Sequence, residues 1–455
     1  MFIKTSKITI AILLILFGFR SYAQTGTDNT DNTDNIEQKT LELFQNKQYK
    51  RLIFVGEEAI ANKTDYFFLR YRIGVAYYEL GNYRMAAYHL EKALIFNSDD
   101  ATELEYLYYS YLFSGRTSDA NYLTSRMTED LKKKIVYKTK FLNTINFETG
   151  VSVSNNIPKN ADIDLDGSPN IYGENDLNNN ILYAHLGLKH DILPFLSIYH
   201  GFSHISIEKR KIIRIQDRDT LSNYTLTQNE YYINSDIQLK NGIKLTPAFH
   251  FMNVASKGMK FDSTQLPPFA DETLNINNYV VSISLAKESK KLTYGFSATY
   301  SNLNYAKQIQ VGIGLTYYPF GNLNLYSATN LVYFNQKTPG WLTQGSTKEN
   351  RIIFDQTVGF KVNAKLWTEA CFTLGNLANY NEKNAFIVYN IADKINFKTG
   401  ISFIYTLSSK IELSVRYQFL SRESNYITYQ NITTINSITT NYQNNTLIGG
   451  IKWKF

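Results

Sequence analysis

From about residue 139 to Phe455, apolar and polar side chains alternate with a period of two, in segments of about 10–15 residues. Successive side chains of a β-strand point to opposite faces, so each segment folds with one apolar wall and one polar wall. Ile309, Val311, Ile313, Leu315 and Tyr317 share one face, and Gln310, Gly312, Gly314 and Thr316 the other. Ile411, Leu413, Val415, Tyr417 and Phe419 oppose Glu412, Ser414, Arg416 and Gln418 in the same way. Ile395, Phe397, Thr399, Ile401 and Phe403 oppose Asn396, Lys398, Gly400 and Ser402.

A soluble β-sandwich and a membrane barrel both alternate, and three features favour the barrel. The segments approach the ~9–11 residues a tilted strand needs to cross a bilayer. Tight turns, such as 191–194, 240–242, 288–291, 319–322, 363–365 and 408–410, alternate with long polar stretches at 155–180, 210–223, 257–272, 336–350 and 380–394. Short turns on one side and long loops on the other are the pattern of outer-membrane barrels. Third, Leu447, Gly449, Ile451, Trp453 and Phe455 share a face opposite Gly450, Lys452 and Lys454. Charged residues are only 19% and aromatic residues 15%, with 35 Tyr, which suits a lipid-facing wall with aromatic girdles.

The expected fold is an all-β transmembrane barrel of about 14 antiparallel strands, with 12 or 16 as the alternatives, behind a small α-helical domain. Counting Ala385–Ile395 as a strand would make the number odd, so it is read as part of an external loop. Pro247 lacks the N–H a closed ladder needs, so a bulge is expected there.

The N-terminal residues read as a series of short segments. Lys4 and Lys7 precede the apolar run Ile8–Phe19, and Ser21-Tyr22-Ala23 offers small residues before Gln24, so 1–23 reads as a signal peptide. No Cys lies near that junction, so no lipid anchor is expected, and Cys371 has no partner for an internal disulfide. Residues 24–35, polar and of low complexity, are expected to be a disordered linker. From 36 to 134 the period becomes helical. Gly74, Tyr77, Gly81, Ala86 and Ala93 stand in the order of small and large residues in which the first and third admit a close approach and a turn. A shift of ~34 residues brings Tyr77 to Tyr111, Gly81 to Gly115 and Ala86 to Ala120. This segment resembles the tetratricopeptide (TPR) repeat family, with a clear middle repeat and two degenerate neighbours. The resemblance implies a scaffold that binds a protein or peptide; a helical spacer without a ligand is the plainer alternative.

Chemistry-bearing motifs are few. Asp162, Asp164 and Asp166 before Gly167 match the start of a calcium loop, but Gly173 stands where a bidentate Glu would close it. The choice is a loose surface Ca2+ site or a solvated acidic loop; no other cofactor is expected. His200 and His204 are ~13 Å apart on a strand and share no metal. If the 191–194 turn pairs its strands symmetrically, His185 faces His200 across the lumen wall, as two solvated lumen histidines or, the alternative, a metal site. Lys189, Asp236, Lys244, Asp355, Lys361, Glu369, Lys398, Glu412, Arg416, Lys452 and Lys454 are expected to line a polar lumen with a basic excess. No motif of a hydrolase, zinc protease or nucleotide-binding site stands in its required setting, so the chain is not expected to be an enzyme. A net charge of +7 without a dense basic run argues against nucleic acid as a partner.

The closing strand resembles the C-terminal signal of outer-membrane barrels, with Trp453 and Phe455 as its aromatic residues, which implies recognition by the barrel-assembly machinery. In architecture the chain resembles exopolysaccharide export porins, surface lipoprotein assembly modulators and YaiO-like outer-membrane proteins. The resemblance implies a barrel set in outer-membrane lipid, with the helical domain in the periplasm receiving a periplasmic protein or exported cargo for transport or secretion. The alternative is a non-conducting anchor that docks a periplasmic or surface complex.

Overall fold

The computed structural model describes residues 30–97, 99–137, 140–155, 172–215, 218–262, 264–265, 269–340, 346–429 and 435–455. The expected signal peptide at 1–23 and the three aspartates Asp162, Asp164 and Asp166 lie outside the described residues.

Among the described residues seven α-helices come first: α1 (Thr30–Gln45), α2 (Tyr49–Ala61), α3 (Phe67–Glu79), α4 (Tyr83–Ala93), α5 (Ala101–Phe113), α6 (Thr117–Leu123) and α7 (Glu129–Lys134). Helix α1 begins inside the segment 24–35 expected to lack structure. Its apolar anchor is Ile36, packed beside Leu43 and Leu52, and a helix nucleated there extends backward at one hydrogen bond per residue. The helices form hairpins in chain order. Gly81 (φ +73°) and Gly115 (φ +78°) turn the second and third hairpins, a left-handed conformation that glycine adopts without a Cβ clash. A Cβ on Gly74 would lie 2.7 Å from Leu90 Cγ, so only glycine lets α3 and α4 approach as they do. Ala86 and Ala93 are fully buried, and the Tyr77 ring stacks on His89 at 5.4 Å.

The remaining chain forms β1 (Leu142–Asn155), β2 (Tyr172–Leu193), β3 (Leu196–Ile215), β4 (Arg218–Leu239), β5 (Ile243–Phe261), β6 (Phe269–Ser289), β7 (Leu292–Ser301), β8 (Lys307–Tyr317), β9 (Leu325–Thr338), β10 (Thr347–Lys361), β11 (Leu366–Leu374), β12 (Asn381–Glu382), β13 (Ile387–Val388), β14 (Lys394–Thr406), β15 (Ile411–Tyr429) and β16 (Ile435–Lys454). All except β12 and β13 make one closed antiparallel barrel of 14 strands, sealed by β1 against β16. β12 and β13 pair only with each other.

The barrel is apolar outside and polar inside. Leu182, Phe202, Ile313, Ile352 and Leu447 project outward and are more than half exposed, while His185, Gln310, Asp355, Lys398 and Asn444 are buried inside. Such a wall buries its outer face only against lipid. On β6 the outward positions change from Leu285, Ile283, Val281 and Tyr279 to Asn277, Asn275, Thr273 and Asp271. On β4 the same change follows Tyr231. The apolar belt is therefore about nine residues tall there, close to the ~9–11 a crossing strand needs. Above it the chain stays paired: β3 ends at Ile215 and β4 starts at Arg218, so the stretch 210–223, expected as a loop, is mostly strand. The stretch 257–272 is likewise largely β5 and β6. In water both faces of a hairpin tolerate polar residues, which is why composition alone made these segments look like loops. The wall is uneven, with 22 residues in β2 and β4 against 10 in β7 and 9 in β11.

Pro247 produces no bulge. The β4–β5 pairing runs to Asn234–Ala248, lapses for two rungs and resumes at Ile237–Leu245 in the same register. The missing N–H removes a ladder bond, and Thr246 Oγ1 instead donates to Asp236 Oδ1 at 2.7 Å.

Candidate functional site in the barrel lumen

The segment between β11 and β14 does not leave the barrel. After Gly375 (φ +118°) it turns inward and crosses the lumen, so Ala385–Ile395, expected as part of an external loop, is an internal plug. Its apolar residues explain the direction. Leu377 and Tyr380 pack on Val332, Phe334, Ile353, Ile395 and Leu420, and Ala385 on Met252, Val280 and Leu303. A bulge between Ile395 and Phe397 turns Ile395 into this cluster and leaves Phe397 outside against Phe372 and Phe419, separating two residues expected on one face.

The stem of the plug is fixed by a buried ion pair. Lys398 Nζ donates to both oxygens of Glu382, at 2.7 and 2.6 Å, and Tyr389 Oη donates to Glu382 Oε2 at 2.9 Å. Asparagines along the stem bind the wall: Asn381 Nδ2 to Ser301 Oγ (3.2 Å), Asn379 Nδ2 to Gln336 Oε1 (3.0 Å) and Asn390 Nδ2 to Gln228 Oε1 (3.1 Å).

The tip reverses through three left-handed residues, Lys383, Asn384 and Ala385. Asn384 Oδ1 accepts from Ser282 Oγ at 2.8 Å, Asn384 Nδ2 donates to the Thr246 carbonyl at 3.1 Å, and Tyr232 Oη donates to the Asn384 carbonyl at 3.1 Å. His250 Nδ1 lies 2.7 Å from the Ala385 carbonyl, so that nitrogen carries the proton. The Phe386 ring sits among His185, Tyr199 and Tyr232, with centroids 5.3, 5.9 and 5.2 Å away. The seat of the tip is thus built by β2 to β6.

Toward the rim with the tight turns the plug leaves two cavities, of about 410 and 500 Å³. Glu369 and Lys383 line both. The first carries Glu148 and Arg416 (3.5 Å apart) and Glu412 with Lys452 (3.4 Å). The second is walled by small residues such as Ser284, Gly295 and Gly314. The acids and bases expected in the lumen at Asp355, Glu369, Lys398, Glu412 and Arg416 therefore do face it, largely in pairs. His200 and His204 do not: they share the outer face of β3 with Phe202, and only His185 points inward. The register pairs His185 with Ser203 rather than His200. Among the described residues no three or more metal-ligating side chains converge.

The helical region grips the same rim. Arg84, almost fully buried, donates through Nε to the Lys290 carbonyl (2.9 Å) and through Nη2 to the Leu292 carbonyl (3.0 Å), pairs with Glu288, and lies 4.1 Å from the centre of the Tyr318 ring. Asn322 Nδ2 donates to the Gly81 carbonyl at 2.8 Å. Asp119, paired with Arg116 at 2.8 Å, accepts from Gln238 Nε2 at 2.7 Å. Burial pushes the Asp119 carboxyl above its ordinary range, with Arg116 opposing the rise. At the β1–β16 seam, on this same rim, Trp453 and Phe455 both face outward, their rings 6.5 Å apart, while Lys452 and Lys454 turn inward to Glu412.

No family model matches this chain, and no curated protein matches it in sequence. Among solved structures it is similar to the Pseudomonas putida toluene transporter TodX, at 8% identity and a TM-score of 0.43, covering 68% of this chain and 90% of that one. It is similar to a Pseudomonas aeruginosa FadL homologue at 9% identity and a TM-score of 0.43, covering 69% and 90%. A bacterial polysaccharide outer-membrane secretin follows at 8% and 0.34, covering 69% and 99%. These are likenesses of barrels.

Proposed function

We propose that this chain is an outer-membrane transport or secretion component whose helical hairpins, TPR-like in sequence, receive a periplasmic partner or cargo and present it to the barrel mouth. The observation that carries the reading is the Arg84 clamp. A buried guanidinium shared between two carbonyls, a carboxylate and a ring holds the helical region at the tight-turn rim, which supports the reading because cargo bound there would lie beside the lumen. With that rim in the periplasm, the aromatic pair Trp453 and Phe455 stands at the periplasmic girdle, where the barrel-assembly machinery would meet it.

A second reading, a non-conducting anchor that docks a complex, is favoured by the plug across the lumen. Purified protein in planar bilayers separates the two. Steady conductance, in the parent or in Lys398→Met with its plug loosened, supports transport; silence of both together with a partner crosslinked to residues 36–134 in cells supports the anchor. If deletion of 36–134 changes neither export to the surface nor any crosslinked partner, the cargo-receiving role is refuted.

A further inference from the structure

The strands that seat the plug tip are the strands whose turns the helical region grips. β4 carries Tyr232 at the seat and Gln238 at the grip. β6 carries Ser282 at the seat and Glu288 at the grip. β5 carries Thr246 and His250 at the seat and is preceded by Gly242 in the turn, where an added Cβ would lie 3.0 Å from Arg116 Nη2. At ~3.3 Å per residue seat and grip are about 13–26 Å apart along one strand. Between them lies the lapse in the β4–β5 ladder at Pro247, bounded by Asn234–Ala248 above and Ile237–Leu245 below. The wall therefore lacks two ladder rungs between grip and seat, and Asn384 bonds the Thr246 carbonyl at that level.

The plug is incompletely satisfied along its stem. Gln310 Nε2, Asn381 Oδ1 and Asn390 Oδ1 are buried there without a hydrogen-bond partner, and at the seat His250 Nε2 has only the Glu230 carboxylate, 3.5 Å away. Each such group costs free energy that a fully paired interface would not carry. A segment held this way sits in a shallow minimum that a small change in the wall can empty.

We propose that the plug is an autoinhibitory latch controlled from the helical region: the grip on the β4–β5 and β6–β7 turns keeps the lower ends of β4, β5 and β6 in the arrangement that seats Asn384, Ala385 and Phe386. Loading or loosening of the helical region shifts those ends about the Pro247 lapse and releases the tip. The inference rests on the transport reading for its purpose, but its test does not. Ala248 lies between Thr246 and His250, faces inward and is buried, so Ala248→Cys in a Cys371→Ser background reports opening by its rate of labelling with a membrane-impermeant thiol reagent. Lys398→Met serves as a direct loosening of the plug, and heat-modifiable mobility in gels verifies that each barrel is folded. Arg84→Ala with Gln238→Ala and Asn322→Ala, which removes the side-chain bonds of the grip, is expected to speed labelling at least about tenfold, as is Lys398→Met. If Lys398→Met labels fast while the grip variant stays at the parent rate, and protease cleavage between the helices and β1 shows the grip lost, the control from the helical region is overturned. If neither variant labels faster, the plug is not a latch at all. Both results are independent of whether the open barrel conducts.

Discussion

The pair between Lys398 and Glu382 sets how firmly the plug is held, and replacing one member tests it quantitatively. The two side chains are 2% and 9% exposed, so water screens neither. Lys398→Met leaves the Glu382 carboxylate buried with only Tyr389 Oη as a donor. Breaking a buried pair by removing one partner costs about 3–5 kcal/mol. The remaining tyrosine bond puts this case at the low end, and ~3 kcal/mol corresponds to about a hundredfold rise in the released population at 1.4 kcal/mol per factor of ten. Because the pair joins plug to wall and is no part of the strand ladder, the loss should appear as opening and not as unfolding. Single-channel recording should show openings about a hundredfold more frequent in Lys398→Met and in Glu382→Gln, with barrels that still migrate as folded. The double variant should return most of the way to the parent, since no buried charge is left unpaired. Single variants as quiet as the parent, or a double variant as leaky as either single, would refute the argument.

Other expectations concern the helical region and barrel assembly. Glu103 is fully buried, neither carboxylate oxygen has a hydrogen-bond partner, and burial raises its pKa from 4.5 to about 8. The folded state thus binds the proton more tightly than the unfolded chain, and stability should fall as pH rises from about 4.5 toward 8, then level off. Glu103→Gln should remove that slope and stabilise the helices by ~1–3 kcal/mol at pH 7.5, read by urea unfolding at several pH values. Gly74→Ala forces a Cβ into Leu90 and should lower helical stability by about 1–3 kcal/mol in the same assay, leaving heat-modifiable barrel mobility unchanged. Replacing Trp453 and Phe455 by Ala should lower the amount of folded barrel in the membrane severalfold by immunoblot; an undiminished amount would count against their role in assembly.

The barrel was legible because its driving pattern is local: a period of two, repeated with turns between, dictates which face meets lipid. The left-handed turns at Gly81 and Gly115 were legible for a similar reason, since the two glycines recur in step. The plug was not read, although the sequence carries a trace of it. Leu331-Val332-Tyr333-Phe334 and Tyr279-Val280-Val281 are apolar on both faces at one level of the wall. Lipid accounts for Leu331, Tyr333, Tyr279 and Val281, so Val332, Phe334 and Val280 need a partner inside; Leu377 and Tyr380 supply it for the first two, and Ala385 and Val388 for the third. Parity failed for His200 because it was inferred from an idealised symmetric turn, whereas the actual register skips a position at Asp191–Leu193. The Arg84 clamp has no sequence signal, because its partners lie some two hundred residues away along the chain.

The difference in height between β2–β6 and β7–β11 gives the molecule a direction in the plane of the membrane. Strands of 22 residues at ~3.3 Å each, tilted by about 40°, rise some 25 Å beyond a ~30 Å hydrocarbon layer, while strands of about ten reach only some 25 Å and end within it. Anything drifting along the lipid surface therefore meets a tall hydrated palisade on one flank and a low sill on the other, and the sill is the side from which a solute would come first upon the base of the plug.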